Sequence, residues 1–212
     1  MLEFEKKLPL NKSEYNTILK LYNFSDKPVI QTNYYYDTSD GQFTRNGITC
    51  RIREKNGEYV ATLKNHNLQW TNCSVEYSAK VKDERDDHVF SGMNVSLQGS
   101  LKTTRHTWQF CTGVTITLDK NEYLNIVDYE LEIEYELCYE DIAIREYYRI
   151  IDYLIFTSIG RNKSDYKNRI TLTKSKRFFE QKKKGKSNEF NFRRNSKNKK
   201  RKRTKNRFKQ QQ

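Results

Sequence analysis

The stretch Glu3-Phe4-Glu5-Lys6-Lys7, "EFEKK" (3–7), lies between Leu2 and Leu8 and alternates polar with apolar residues. Side chains two apart on a strand point the same way, so one face would carry Glu3, Glu5 and Lys7. Two carboxylates and an ammonium in a row suit either the solvated face of an edge strand or the wet interior of a closed sheet.

The rest of the chain repeats the pattern. Strands are predicted at 29–38, 47–54, 58–64, 73–80, 104–110, 114–120 and 124–136, with Asn56-Gly57 as a two-residue hairpin turn. Helices are predicted at 11–23, with Asn11 or Ser13 as cap, near 83–93, and at 140–156, where the helical period is strongest. On the strands, Arg51 and Arg53 share a face, as do Thr62 and Lys64, and Glu76, Ser78 and Lys80. Further along, Arg105 aligns with Thr107, Thr117 with Asp119, and Glu130 with Glu132 and Glu134. The opposite faces carry Phe4, Ile52, Leu63, Trp108 and Ile133. About eight strands with short connections imply a mainly β fold: an antiparallel sheet or barrel with peripheral helices.

A solvated face mixes Lys, Thr, Ser and Gln, whereas here glutamate rows recur on some strands and arginine or lysine on others. That distribution favours a closed sheet with its charges inside. Isolated buried ions cost many kcal/mol, so such a lumen must be wet or must hold a ligand of matching charge. Carboxylate rows suit hard divalent cations, and arginines and lysines suit phosphate oxygens. Together they describe a metal–polyphosphate site.

The ordered set of E-x-E-x-K, "NYYYDT" (33–38), "RIR" (51–53), "TLK" (62–64), Glu76, Arg105, "LD" (118–119) and "YELEIEYE" (129–136) resembles the CYTH superfamily, the triphosphate tunnel metalloenzymes, over roughly residues 1–170. The resemblance, closest to compact bacterial CYTH phosphatases, implies an eight-stranded antiparallel closed barrel with a charged tunnel. It also implies metal-dependent hydrolysis of inorganic triphosphate or of an organic one such as thiamine triphosphate. By position it assigns Glu3, Glu5, Glu130 and Glu132 to Mg²⁺ or Mn²⁺ and to catalysis, with Glu134 as the alternative register of the last pair. Lys7, Arg51, Arg53, Lys64 and Arg105 match phosphate-binding positions, and Glu76 and Asp119 match supporting acids. Family members carry a Ser-Lys-Tyr element near the domain end. This chain reads "NKSDYKNR" (162–169), with Asp165 at the lysine position and Lys163 or Lys167 as its expected substitute. The competing functions are a non-catalytic polyphosphate or nucleotide binder and an adenylyl cyclase.

Charge divides the 212-residue chain, whose net formal charge is +13. Residues 174–212 hold 18 Lys+Arg and 2 Asp+Glu, leaving 22 and 25 in 1–173. The expected division is therefore a nearly neutral domain at 1–173 and a basic low-complexity tail at 174–212, disordered alone. The tail's cations, with Phe190, Phe192 and Phe208, suit weak binding of nucleic acid or another polyanion. No stretch has the length of a membrane span. Cys50, Cys73, Cys111 and Cys138 are widely spaced and read as buried thiols of a reducing cytoplasm, and the tail's basic run would suit a nuclear address in a nucleated cell. His66, His88 and His106 lack zinc-ligand spacing and read as surface or loop residues. The oligomeric state has no signature in the sequence.

Overall fold

A computed structural model describes residues 2–185, except 23, 25, 26, 67–72, 87–89, 91, 159 and 160, and at positions 2, 3 and 73 it describes backbone only. Eight strands form the fold: β1 (Leu2–Leu10), β2 (Val29–Asp37), β3 (Ile48–Lys55), β4 (Glu58–Asn65), β5 (Cys73–Val81), β6 (Ser96–Cys111), β7 (Val114–Tyr123) and β8 (Ile126–Tyr135). All neighbouring pairs are antiparallel, and the order β1-β5-β4-β3-β2-β6-β7-β8 closes into a barrel. The β1–β5 seam is short, with three residue pairs from Leu2–Val75 to Phe4–Cys73, whereas β1–β8 runs over seven from Phe4–Tyr135 to Leu10–Tyr129. Asn56 and Gly57 both take positive φ (55° and 80°), as a type I′ hairpin requires. Leu124 and Asn125 do the same between β7 and β8, so β8 begins at Ile126 rather than at 124.

The alternation expected from sequence sorts the barrel's two sides. Leu8 and Leu10 of β1, Ile116 and Leu118 of β7, and Leu131 and Ile133 of β8 point outward and are buried. Two helices cover them, α1 (Lys12–Leu21) with Tyr15 and Ile18, and α3 (Glu140–Thr157) with Ala143, Ile150, Ile151 and Leu154. Asn11 and Glu14 form a capping box at the start of α1, each side chain accepting from the other's backbone N–H at 2.9 and 2.8 Å. A second outer cluster joins Tyr36, Cys50, Ile52 and Ala61 to Phe90. Phe90 belongs to a segment expected as a helix near 83–93, but its described residues form turns and bends, with Phe90 itself in a 3-10 helical conformation, and no α-helix. Asp83 and Asp86 side chains accept from Arg85 and Lys82 backbone N–H groups (2.8 and 2.9 Å), which competes with helix formation. Between Gly41 and Asn46 lies one turn of helix, α2 (Gln42–Arg45).

Beyond α3, the short helix α4 (Lys163–Lys167) is held by a buried carboxylate. Glu14, 3% exposed, accepts from Arg169 at 2.7 and 2.8 Å and from the Tyr166 hydroxyl at 3.2 Å, and pairs with Arg161. Burial favours its neutral form, but Arg169, the Asn11 N–H and Arg161 outweigh this and hold its pKa below the ordinary value. A depressed carboxylate pKa contributes stability that is present above the unfolded value, ~4.3, and lost as pH falls through the folded one. Glu14→Gln is therefore expected to cost about 2 kcal/mol at pH 7, by leaving two arginines short of an anion. Urea melts should show that gap, and it should narrow as pH falls below the unfolded value and through the folded one.

Residues 174–185 form a further helix, α5. This corrects the expected boundary at 173 and the expectation of disorder from 174 onward. Lys174, Arg177 and Phe178 stand at helical spacing and share a face. Phe178 is fully buried at one end of the lumen against Tyr35, Leu101 and Tyr123. Gly99 on β6, at φ 140°, leaves room for that ring, since a Cβ there would lie 2.8 Å from Phe178 Cζ. The basic run 186–212, with its expected polyanion binding, lies outside the described residues.

The cysteines also differ from expectation. Cys50 is buried, and burial pushes its thiol up to about 12, but Cys111 is half-buried and Cys138 exposed. His106 lies on β6, ring-to-ring with Phe24 at 6.0 Å, rather than in a loop, and His88 is outside the described residues. No helix among the described residues is long and apolar enough to cross a membrane.

Candidate active site

The inward faces carry the ionisable rows. A chamber of about 160 Å³ is lined by Glu5 and Lys7 of β1, Arg51 and Arg53 of β3, Lys64 of β4, Glu76 of β5, Arg105 of β6, and Glu132 and Glu134 of β8. All nine are residues that the alternation of the strands places on inward faces. Register explains why they meet: Lys7 is opposite Glu132, Glu5 opposite Glu134, Lys64 opposite Glu76, and Arg105 opposite Asp119.

Depth distinguishes the three β8 glutamates. Glu130 and Glu132 are 1% and 3% exposed, whereas the Glu134 side chain is 47% exposed at the mouth. Glu132 is the most heavily paired. It accepts from Lys7 at 2.7 Å, from Arg105 at 2.6 Å and from Lys174 at 2.9 Å. Arg105 also grips Asp119 through two bonds, at 2.9 and 2.6 Å. Burial would raise Glu132's pKa, but Lys174, Lys7 and Arg105 overcome it and hold the carboxyl well below the usual range. Glu130 is likewise held down, against burial, by Lys174 and Arg177.

Asp119, Glu130 and Glu132 each offer an oxygen within 4.8 Å of the other two. Three buried carboxylates of this kind are hard, anionic donors, and they fit a hard divalent cation. Asp119, expected as a supporting acid, is thus the third member of the cluster. Glu5 lies nearby, 3.1 Å from Lys7 Nζ, and the Glu3 side chain is outside the described residues.

Across the chamber the balance reverses. Arg51 reaches Glu76 only at 3.6 Å. Arg53 donates to the Asn33 amide oxygen at 2.9 Å and, among the described residues, has no carboxylate within ion-pair distance. Burial, then Arg51 and Arg105, push its pKa down to about 9. Asn33 Nδ2 and Arg51 Nε are buried donors with no protein acceptor among the described residues. Donors in a lumen without protein acceptors require water or a ligand oxygen.

One expected residue is elsewhere. Lys163 sits on α4, outside the barrel, 2.9 Å from Asp152 with both side chains over half exposed. Asp165 caps α4 by accepting from Asn162 N–H at 2.8 Å. A short helix with a capping box has no reach into the lumen. The additional lysine that does enter is Lys174, 8% exposed, which the composition of 174–212 concealed. His66, Thr49 and Ser175 were also missed. Thr49 Oγ1 bonds His66 Nε2 at 3.1 Å and Ser175 Oγ at 2.7 Å along the chamber wall. Only the i, i+3, i+4 spacing of Lys174, Arg177 and Phe178 could have signalled this segment.

Residues 1–146 match the family model of the CYTH domain. A Bacillus subtilis (strain 168) protein named "Putative triphosphatase YjbK" is 31% identical over 147 residues, covering 63% of this chain and 77% of that one. A solved Bacillus halodurans structure, described as a "putative adenylate cyclase", is 24% identical with TM-score 0.65, covering 84% of this chain and 97% of its own. A Hippeastrum protein described as a "putative adenylyl cyclase" with a dominant triphosphatase activity is 20% identical with TM-score 0.54, covering 69% of this chain and 85% of its own. The likeness to these two structures is one of fold.

Proposed function

The chain belongs to the CYTH domain family, and from that premise we propose that it hydrolyses a triphosphate, inorganic or organic, with a divalent cation bound in the barrel. The observation that carries this reading is the division of charge in one chamber. Six cationic side chains line it against four acidic ones, so it takes an anion, and one of those acids, Glu132, converges with the buried Asp119 and Glu130, their oxygens close enough for a metal.

Asp119, Glu130 and Glu132 would hold the ion. When bound, it supplies positive charge to phosphate oxygens and lowers the pKa of water. Arg51, Arg53 and Lys64 stand on adjoining strands and bind the triphosphate, since guanidinium and ammonium donors make short, charge-assisted bonds to its oxygens. Arg53 gains most, because a phosphate provides the anion that it lacks. As a P–O bond breaks, charge develops on the leaving phosphate. Fixed cations near that point stabilise it without reorganising. Arg105 and Lys7 are held in place by Asp119, Glu5 and Glu132 before substrate arrives, which preserves their orientation. Barrel walls exclude bulk water and so strengthen each of these contacts.

A phosphate-release panel over inorganic triphosphate, thiamine triphosphate and ATP tests the reading, with Mg²⁺, Mn²⁺ or chelator. The expected result is metal-dependent release that the chelator abolishes. Absence of release under every metal would overturn hydrolysis, and cyclic AMP as the main product from ATP would replace it with cyclisation.

A further inference from the structure

Lys174 reaches the acidic wall from α5, not from the barrel. Its Nζ lies 2.9 Å from Asp119 Oδ2 and 2.9 Å from Glu132 Oε1, and it also pairs with Glu130. These are the three carboxylates whose oxygens converge within 4.8 Å. The ammonium therefore occupies the point toward which they are aimed. Burial alone would depress its pKa, but Asp119, Glu130 and Glu132 outweigh burial and keep it charged.

We propose that Lys174 is a resident counter-ion for which a divalent cation must compete, so that the ammonium and the metal exclude one another from the same carboxylates. This rests on the preceding reading that the cluster takes a metal. A small divalent ion draws its oxygen ligands to roughly 2.0–2.2 Å. An ammonium bonded to the same oxygens presents like charge at the same place, and the two cannot be accommodated together.

The helix need not leave for the lysine to yield. Arg177 holds α5 through Glu130 at 2.8 Å and Asp128 at 3.0 Å, and Phe178 lies 5.2 Å, centroid to centroid, from Tyr35 in the apolar plug. Lys174 is the first residue of the helix, and its four-carbon stem is free to swing about that anchor. In the metal-free state the lysine adds positive charge to buried acids that it shares with Lys7, Arg105 and Arg177, and so lowers the cost of burying them together. It thereby lets the barrel fold without metal and raises the concentration of metal needed to load it.

The test is Mn²⁺ binding to the full chain without any phosphate compound, by calorimetry and by loss of the free-ion electron spin resonance signal. Lys174→Met should bind Mn²⁺ about tenfold or more tightly than wild type. Lys174→Arg, which keeps the charge, should stay within about threefold. Equal or weaker binding by the methionine variant would overturn the proposal. The wild-type chain gives an independent reading if that variant does not fold. Reductive methylation of Lys174, followed by peptide mass, should be slow in metal-free protein and several-fold faster with saturating Mn²⁺. Protection that persists in the loaded protein would also overturn it. If neither wild type nor Lys174→Met takes up Mn²⁺, the metal reading falls together with this one, whereas uptake with equal affinity removes only the competition.

Discussion

Glu132→Gln is expected to lower triphosphate turnover by roughly a hundredfold or more at saturating Mg²⁺ while leaving the barrel folded. This carboxylate meets Lys7, Arg105 and Lys174 within 2.9 Å and belongs to the converging trio with Asp119 and Glu130. An amide keeps the shape but removes the charge. It would weaken a metal ligand and loosen two cations aimed at the substrate. Glu134→Gln is the matched control. Glu134 shares the strand face, but its side chain is 47% exposed, and Arg105 Nη1 lies 3.5 Å from it. Its loss should change turnover by no more than about threefold, since exposed pairs contribute ~0–1 kcal/mol. Steady-state rates for both variants, with far-UV circular dichroism as the folding check, decide the register of the last glutamate pair. Equal damage from the two would sink the assignment of Glu132 to the metal.

That register marks where sequence reasoning stopped. Alternation in "YELEIEYE" says that Glu130, Glu132 and Glu134 share a face, and it cannot say how deep each one lies. Depth depends on strand tilt and on what closes the barrel's far end, and both come from pairing between residues distant in the chain. Asp119 shows the same limit. It was legible as an inward acid two positions from Thr117, but its convergence with Glu130 follows from the β7–β8 register, which places the two directly opposite. The arginine pair on β3 and the glutamates of β1 and β8 were legible because charges at a period of two fall on one strand face whatever the register with the neighbouring strands. The error at Lys163 has a different origin. A motif position was filled by the nearest lysine in sequence, although the local signals there, Asn162 and Asp165, spell a helix cap facing solvent.

The most consequential misreading concerned composition. Residues 174–212 average to a basic, low-complexity run, and an average conceals a short segment with its own period. Lys174, Arg177 and Phe178 put two cations and an aromatic on one helical face, and each has a buried counterpart in the lumen. A barrel with acids on one inner wall and an apolar patch of Tyr35, Leu101 and Tyr123 at one end is incomplete without such a segment. The charges of sequence and fold match here at a level that net charge does not reveal.

A chain ending at Thr173 should therefore be severely destabilised, while one ending at Gly185 should melt like the full-length protein. The shorter chain loses the fully buried Phe178 ring, and removing a buried phenylalanine side chain alone costs about 3–5 kcal/mol. It also strips Lys174 from Asp119 and Arg177 from Glu130 and Asp128, leaving buried carboxylates with fewer cations. Together these losses are comparable with the ~5–15 kcal/mol that holds a typical domain folded. On the proposed metal reading part of the electrostatic loss is reversible, because a divalent ion at Asp119, Glu130 and Glu132 would restore the missing charge. Mn²⁺ should then raise the melting temperature of the 1–173 chain more than that of the 1–185 chain. Thermal melts of the three chain lengths, with and without Mn²⁺, make the comparison. Equal midpoints for 1–173 and 1–185 would show that α5 is an appendage rather than the end-wall of the active site.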